Sequence, residues 1–293
     1  MHRLAPATDA RYRYATMSDA QPGPADIDTL GALLRDAARR HILPHADRPG
    51  ARLKDDGSWV TDADLAMQRH LQDLLAERWP DVALLGEEMR ADEQQALMRA
   101  EAQAPDGPGL WVLDPLDGTS NFTAGLPAFG PSLAWVQAGR VRLGLVLDVM
   151  RDELFDAALG CGARLQGRPL RCPAAPAMRR AIACVDFKRL PRALAVQLAT
   201  EPPYASQRSL GSVALDWCWV AAGRFHLYLH GSQGLWDYAA GSLILAEAGG
   251  CAQTLQADAV FDNSLRKRSA LAAVDATLLH DWARWIARSA AAG

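Results

Sequence analysis

The stretch WVLDPLDGTSNF, residues 111–122, runs from an apolar segment directly into two aspartates. Pro115 has no backbone N–H to donate, so it ends the predicted strand and stiffens the turn that follows. Asp114 and Asp117 can then converge instead of pointing to opposite faces of a strand. This spacing predicts a metal site. An aspartate-rich turn capped by its own side chains is the alternative that this stretch alone leaves open.

Converging carboxylates need a compensating charge. Two of them about 4 Å apart repel by roughly 4 kcal/mol at an effective dielectric constant near 20. Such a site must therefore hold a cation or contain a carboxyl with a raised pKa. Divalent ions that prefer oxygen ligands fit a site with no His or Cys nearby in sequence, which indicates Mg²⁺, with Mn²⁺ as a substitute.

Two further acidic segments flank the central one. A predicted strand over residues 83–85 leads into the adjacent carboxylates Glu87 and Glu88, which are costly unless one of them meets a cation. Trp236 and Asp237 open an apolar helix, which places the aspartate near the positive end of the helix dipole. An N-cap role explains Asp237 as well as metal binding does.

Composition and charge point to a globular enzyme. A chain of 293 residues suits one large domain or two intimately packed halves. Its 31 basic and 34 acidic residues give a formal charge of -3, so no global field favours nucleic acid or an anionic membrane. No apolar run is long enough to cross a bilayer. We therefore expect neither a nucleic-acid nor a membrane partner.

The cysteine pattern argues against disulfides and zinc. The five cysteines are odd in number, form no CxxC pair and have no histidine at zinc-ligand spacing. We predict that they are reduced core thiols in a cytoplasmic protein. They are Cys161, Cys172, Cys184, Cys218 and Cys251.

Helical and strand patterns alternate along the chain. Apolar residues recur at helical spacing from Ile27 and again over residues 71–79, predicting two amphipathic helices that cover a sheet. A hairpin is predicted from Ser132 to Val149, turning at residues 138–140. Further strands are predicted at 154–158, 182–185, 225–229 and 270–274, and further helices at 192–200, 213–222, 238–248 and 278–287.

The organisation predicted from these patterns has three parts. Residues 1–25 show no sustained period and are predicted to be a disordered tail. Residues 26–152 form an N-terminal α+β half that carries most of the metal ligands. Residues 153–293 form a C-terminal α/β half that completes the site, with a soft boundary between the two halves.

Four blocks in order resemble the signature segments of the inositol monophosphatase family. They are KDDGSWVTDAD (54–64), Gly86-Glu87-Glu88, DPLDGTSNF (114–122) and WDYAAGSLILAEAGG (236–250). The similarity covers roughly residues 28–256. It implies a layered αβαβα sandwich of the inositol monophosphatase and fructose-1,6-bisphosphatase type. It also implies a Mg²⁺-dependent, lithium-sensitive phosphomonoesterase that forms a homodimer.

The resemblance also implies a ligand set and a mechanism. The implied metal ligands, which would hold two or three ions, are Glu87, Asp114, the Leu116 carbonyl, Asp117 and Asp237. Such ions activate a water for in-line attack and stabilise the departing oxygen, so that no protein nucleophile is needed.

Further roles follow from the same resemblance, each beside a plainer alternative. Thr119 and Glu87 would orient the attacking water, and Asp64 would hydrogen-bond Thr119. A helix cap after Gly118 is the alternative role for Thr119. Lys54 and Glu88 either line the site or form a partly buried ion pair.

The glycine turn and the resemblance also predict substrate contacts. Phosphate is expected against the backbone at Gly118 and Thr119, with Gly211, Ser212 and Asp237 facing the substrate. Ser212 could equally be an ordinary N-cap. The main departure is His230, where inositol-specific members carry a glutamate that contacts sugar-like hydroxyls. His230 could bind a hydroxyl or an anion, or simply pack in the structure.

Several functions remain open. The expected substrate is a small phosphorylated metabolite such as inositol monophosphate. Histidinol phosphate, 3'-phosphoadenosine 5'-phosphate and fructose 1,6-bisphosphate are alternatives, although GSVALDWC (211–218) lacks the lysine expected for the nucleotide. A non-catalytic regulatory protein that retains the fold is the alternative from a different class. Loss of ligands would favour that role, but every expected carboxylate is present.

Overall fold

The computed structural model describes residues 21–46, 50–53 and 59–291. Within them the helices are α1 (Ile27–His41), α2 (Asp62–Arg78), α3 (Ala91–Gln103), α4 (Thr119–Ala124), α5 (Arg192–Thr200), α6 (Val213–Ala221), α7 (Leu235–Glu247) and α8 (Ala276–Ala291). The strands are β1 (Ala51–Leu53), β2 (Trp59–Thr61), β3 (Ala83–Gly86), β4 (Leu110–Asp117), β5 (Gly130–Gln137), β6 (Arg140–Asp148), β7 (Glu153–Ala158), β8 (Gly162–Leu165), β9 (Arg168–Leu170), β10 (Ile182–Asp186), β11 (Ser206–Arg208), β12 (Leu227–Gln233), β13 (Cys251–Gln253) and β14 (Arg268–Ala273). None of these helices is both long and apolar enough to cross a bilayer.

A seven-stranded sheet in the order β3–β4–β5–β6–β7–β8–β9 forms the larger half of the molecule. Its first pair, β3 and β4, is parallel and the remaining pairs are antiparallel. Ala138 and Gly139, at the tip of the β5–β6 hairpin, both have positive φ angles, of 52° and 65°. Positive φ at both positions suits the right-handed twist of the strands that the turn joins.

Alternation along β4 sends its side chains to two different layers. Trp111 and Leu113 pack with the apolar faces of α1 and α2. Val112, between them, points to the opposite face and joins the core formed with α6 and α7. The sheet is therefore covered on both faces, which explains why β4 is buried along its whole length.

The second sheet has five strands in the order β11–β10–β12–β14–β13. Helices α6 and α7 lie between the two sheets, while α5 and α8 pack together on the outer side of the smaller one. The layers thus run helix, sheet, helix, sheet, helix. The predicted αβαβα sandwich is confirmed.

Some expectations need adjustment. Residues 1–20 of the expected disordered tail lie outside the described residues, and a 3-10 helix at Pro24–Asp26 begins near the end of that stretch. The seven-stranded sheet continues to Leu170, so the expected division after residue 152 falls within it, because β7–β9 extend the sheet through short turns. All five cysteines are free thiols, but Cys161 is exposed instead of lying in the core.

Candidate functional site

A β-bulge at the end of β4 explains how two aspartates three residues apart reach the same side. Asp114 pairs with Ser132 of β5 and Asp117 pairs with Gly130, so β4 contains one residue more than its partner over this interval. The extra residue reverses the normal alternation of side chains. The Leu116 N–H donates to Asp114 Oδ1 at 2.9 Å, which holds the first carboxylate in place.

The third carboxylate comes from the start of α7. Asp237 is the third residue of this helix, and the Gly234 N–H donates to its Oδ2 at 2.7 Å. The helix begins at Leu235, three residues before the predicted range of 238–248. Ligand oxygens of Asp114, Asp117 and Asp237 all lie within 4.8 Å of one another. Segments separated by 120 residues of sequence therefore meet in a single acidic cluster.

Glu87 approaches the same cluster from the neighbouring parallel strand. It follows β3, and its N–H donates to the Leu113 carbonyl at 3.0 Å, which continues the β3–β4 pairing by one step. Its side chain is half-buried and lines the same pocket as the three aspartates. Parallel strands end at the same sheet edge, so Glu87 and Asp114 are brought together by the sheet itself.

Burial and mutual repulsion both disfavour the charged forms of these groups. Burial, with added repulsion from Glu87, Asp117 and Asp237, raises the pKa of Asp114 well above its usual range. Burial and the same kind of repulsion raise the pKa of Asp237. For Asp117, burial outweighs the hydrogen bonds that it accepts and raises its pKa to about 6. The ligand atoms of this cluster are all oxygens, and burial and repulsion disfavour their charged forms. Such a cluster fits a hard divalent cation such as Mg²⁺.

Ser212 hydrogen-bonds one carboxylate of the acidic cluster. It is fully buried, and its Oγ donates to Asp117 Oδ2 at 2.5 Å, while the Ala214 N–H donates to the same oxygen at 2.8 Å. Ser212 precedes α6 but makes no capping bond with its side chain. The Ser212 hydroxyl proton is thus committed to Asp117, and the expected contact of Ser212 with substrate stays a prediction. Gly211, by contrast, lines the pocket.

Thr119 and Asp64 are brought together across 55 residues of sequence. The Thr119 hydroxyl lies 3.2 Å from Asp64 Oδ1 and 2.9 Å from the Leu116 carbonyl oxygen. Asp64 is buried at the start of α2, where its Oδ2 accepts a bond from the Thr61 N–H at 2.8 Å. Gly118, not Thr119, is the N-cap of α4. The simple capping role for Thr119 is therefore not observed.

A polar pocket of about 440 Å³ opens over this cluster. Gly118 lies in its wall with φ +84°, and a Cβ there would meet the Ala128 carbonyl oxygen at 2.8 Å. The wall includes Glu87 but not Glu88, whose N–H donates to Gln68 Oε1 at 3.1 Å. Lys54, the other residue expected to line the site, lies outside the described residues.

His230 lines the pocket, but both of its ring nitrogens are already used. Nε2 lies 3.1 Å from Asp186 Oδ2, and Nδ1 accepts the Ser232 N–H at 3.2 Å. His230 is buried, whereas the Asp186 side chain keeps 27% of its surface exposed. Both ring nitrogens of His230 are thus engaged within the protein.

The pocket also contains residues that the sequence analysis did not single out. Asp186 ends β10, the cations Lys188 and Arg189 follow it, and Lys267 precedes β14. Trp59 lies within the KDDGSWVTDAD block but had been given no role. The sequence signal for Asp186 was its place at the end of a short apolar strand, the same position from which Glu87 enters the site.

Fold and site together define a layered α/β protein with a cluster of carboxylates where the strands of its larger sheet end and α7 begins. The sequence model of the inositol monophosphatase family matches residues 27–289. The chain is 36% identical over 203 residues to the "Nus factor SuhB" of Pasteurella multocida, covering 68% of this chain and 72% of the relative. It is 34% identical over 203 residues to the "Inositol-1-monophosphatase" of Rhizobium meliloti, covering 68% and 73%.

A solved structure agrees with these sequence matches. The structure of an "IMPase/NADP phosphatase complexed with Mg2+ and phosphate" superposes with a TM-score of 0.75 at 25% identity, covering 87% of this chain and 94% of that one. This chain belongs to the inositol monophosphatase family. The resemblance inferred from the four sequence blocks is thereby confirmed.

Proposed function

We propose that this protein is a Mg²⁺-dependent phosphomonoesterase that hydrolyses a small phosphorylated metabolite by attack of water. The observation that carries the proposal is the convergence of Asp114, Asp117 and Asp237 within 4.8 Å in an open polar pocket. Buried like charges of this kind destabilise a fold unless a cation binds them. The Mg²⁺ and phosphate in the related solved structure support the same chemistry.

The ions would be held by carboxylates from β4, α7 and the end of β3. Glu87, Asp114, Asp117 and Asp237 are the side-chain ligands in this proposal, together with the Leu116 carbonyl. Divalent cations bound there supply Lewis acidity to the phosphoryl oxygens and make water easier to deprotonate. The number of ions is proposed as two or three, with Mn²⁺ as a substitute.

Thr119, Glu87 and Asp64 orient the attacking water in this proposal. The Thr119 hydroxyl is held by Asp64, which is itself fixed by the backbone of Thr61. Glu87 lines the pocket from the adjacent strand and can accept the proton that the water loses. The phosphate lies against the backbone of Gly118 and Thr119 in this proposal, since Gly118 has no side chain to keep it away. The position requires glycine because a Cβ there would meet the Ala128 carbonyl oxygen at 2.8 Å.

The finer assignments belong to the same proposal. Inositol monophosphate or a similar polyol phosphate is the proposed substrate, and the curated inositol-1-monophosphatase relative supports it. Sensitivity to Li⁺, a homodimeric state and a cytoplasmic location are proposed from the family resemblance and the free thiols. No nucleic acid is required for this chemistry.

The test is phosphate release from inositol 1-phosphate, glycerol 2-phosphate, histidinol phosphate, fructose 1,6-bisphosphate and 3'-phosphoadenosine 5'-phosphate. We expect turnover that requires Mg²⁺, stops with EDTA and returns when Mg²⁺ is restored. Li⁺ titration and light scattering then test the inhibition and the dimer. Absence of Mg²⁺-dependent phosphate release from every ester would refute the phosphatase assignment.

A regulatory role is the second candidate, because several relatives carry the name Nus factor SuhB. The two roles are separable with Asp114→Asn, which removes one carboxylate of the acidic cluster without changing side-chain size. A regulatory function would survive this substitution while phosphate release is lost. Affinity capture with the variant as bait, compared with wild type, identifies partners that do not depend on catalysis.

A further inference from the structure

The pocket contains a carboxylate, Asp186, that is not part of the acidic cluster. Asp186 ends β10, and His230 lies directly opposite it in the parallel pairing of β10 with β12. Both residues line the pocket, together with Lys188 and Arg189. This pair comes from the smaller sheet, whereas Asp114, Asp117 and Glu87 come from the larger one.

Hydrogen bonds determine which of the two residues can contact a ligand. The Ser232 N–H donates to His230 Nδ1 at 3.2 Å, so this nitrogen carries no proton. The Nε2–H then donates to Asp186 Oδ2 at 3.1 Å. A neutral imidazole has one donor and one acceptor, and here both are occupied. The ring of His230 therefore has nothing left to offer a substrate.

Asp186, by contrast, keeps acceptor capacity. Its Oδ2 accepts the bond from His230, and its Oδ1 accepts the Lys188 N–H at 2.8 Å. A carboxylate has about four acceptor positions, so roughly two remain. With 27% of its side chain exposed, Asp186 can present them to the pocket. The hydrogen bond from His230 lowers the pKa of Asp186, which keeps the carboxyl ionised.

We propose, building on the phosphatase function above, that Asp186 is the residue that recognises the leaving alcohol of the substrate, and that His230 positions it. The carboxylate accepts hydrogen bonds from the alcohol portion while the acidic cluster holds the phosphate. The carboxylate that contacts hydroxyls thus comes from Asp186 on β10. Inositol-specific relatives instead carry a glutamate at the position of His230 on β12. His230 acts through Asp186 and does not touch the substrate.

Charged groups near Asp186 determine whether it binds a hydroxyl group or an ammonium group of the substrate. Lys188 and Arg189 follow Asp186 in the chain and line the same pocket, so they disfavour an ammonium group bound at Asp186, whereas the other carboxylates of the pocket belong to the proposed metal site. A hydroxyl group donates to a carboxylate without that repulsion. The substrate class is therefore the phosphate monoester of a polyhydroxylated alcohol.

The segment that follows Asp186 packs directly against β12. A Cβ at Gly231 would lie 1.7 Å from the Arg189 carbonyl oxygen, so the two backbones are in direct contact. Asp186 also caps the short 3-10 helix Phe187–Arg189 through its bond from the Lys188 N–H. A test must therefore separate this capping role from recognition of the substrate.

Asp186→Ser makes that separation, because serine is a good helix cap but lacks the charged acceptor. The variant and the wild type are compared on inositol 1-phosphate, which has hydroxyls, and on phenyl phosphate, which has none. We expect kcat/KM for inositol 1-phosphate to fall roughly ten- to a hundredfold, mainly through KM. The value for phenyl phosphate falls less, so that the ratio of the two kcat/KM values drops by roughly tenfold or more. Equal losses for both esters would overturn the assignment.

The role of His230 is tested with two further variants. His230→Leu removes the donor to Asp186, and we expect it to lower the preference for inositol 1-phosphate. His230→Gln, which retains an N–H donor, is expected to restore part of that preference. The double variant Asp186→Asn with His230→Glu returns a carboxylate to the pocket from β12. We expect it to prefer inositol 1-phosphate more strongly than Asp186→Asn alone does. Unchanged selectivity in His230→Leu contradicts the positioning role.

Histidinol phosphate tests the donor class, since its alcohol portion carries an ammonium group. A preference of the wild type for this ester over inositol 1-phosphate, lost in Asp186→Ser, would contradict the polyol assignment. If the wild type hydrolyses no ester, the phosphatase proposal fails and recognition is decided by calorimetry with Ca²⁺ present. Binding of inositol 1-phosphate that Asp186→Ser weakens supports Asp186; absent or unchanged binding overturns its assignment.

Discussion

Ser212 donates a hydrogen bond from its Oγ to Asp117 Oδ2 at 2.5 Å, across 95 residues of sequence. Groups that hold a metal ligand in place contribute to metal affinity even though they do not touch the ion. Ser212→Ala leaves Asp117 with the Ala214 N–H on that oxygen. We expect the Mg²⁺ concentration for half-maximal activity to rise roughly ten- to a hundredfold. Activity and calorimetric Mg²⁺ titrations measure the change.

The matched control is Ser242→Ala on α7, which removes a hydroxyl that bonds the Ala239 carbonyl at 3.0 Å. This substitution also removes one side-chain hydrogen bond, but not one to a predicted metal ligand. Its Mg²⁺ dependence should match the wild type. An unaltered Mg²⁺ dependence in Ser212→Ala would mean that the Ala214 N–H alone orients Asp117.

Asp114→Asn tests the link between charge, metal and stability. Its pKa is raised by burial and by Glu87, Asp117 and Asp237, so the metal-free protein gains stability when this charge is removed. The amide oxygen can still accept the Leu116 N–H, which keeps the turn. We expect the variant to melt above the wild type in EDTA but to lose turnover.

Adding Mg²⁺ should reverse that order of stability. At a metal concentration 100 times Kd, the wild type gains about 2.7 kcal/mol by mass action, whereas the variant gains less. Differential scanning fluorimetry with and without Mg²⁺ records both effects. Equal Mg²⁺ stabilisation of wild type and Asp114→Asn would remove Asp114 from the ligand set.

Thr119 and Asp64 are expected to act on catalysis more than on metal binding. Thr119→Ala removes the hydroxyl that lies 3.2 Å from Asp64 Oδ1. Loss of a group that orients the reacting water lowers kcat by roughly 10² to 10⁴. Thr119→Ser keeps the hydroxyl and should retain most of the activity. Steady-state kinetics at saturating Mg²⁺ measure the difference. Equal rates for the alanine and serine variants would refute the role of the Thr119 hydroxyl in orienting water.

The acidic cluster was predictable because its residues follow strands and open a helix. Pro115 marks the end of a strand, and Asp114 and Asp117 beside it needed only one bulge to converge. The contact of Ser212 with Asp117 was not predictable, because nothing local links these positions. Asp186 was missed for a similar reason: its place beside His230 depends on the register of β10 with β12.

Helix α3 could not be predicted from hydrophobic periodicity. Its buried residues are Gln94, Met98 and Glu101, so the apolar period that predicted α1 is absent. The inward face is polar for a structural reason. The Gln94 side chain donates to the Gly86 carbonyl at 2.8 Å, next to Glu87. Hydrophobic periodicity cannot detect a helix whose buried face consists largely of hydrogen-bonding residues.

Gly144 of β6 permits the close contact between the large sheet and α7. A Cβ there would lie 2.8 Å from the Ala240 carbonyl oxygen and 3.0 Å from its Cα. Gly144→Ala must therefore push α7 away from the sheet, at a cost of about 1–3 kcal/mol in unfolding free energy. Because α7 also carries Asp237, the same shift should weaken Mg²⁺ binding.

Chemical denaturation and Mg²⁺ titration of the same Gly144→Ala preparation measure the two effects together. Gly23→Ala is the control, since its added Cβ meets no atom within 4 Å and its φ of -155° suits any residue. A stability loss without weaker Mg²⁺ binding would mean that α7 yields locally at Ala240 and leaves Asp237 in place. Weakened binding would show instead that the position of one helix against one glycine sets the geometry of the metal site.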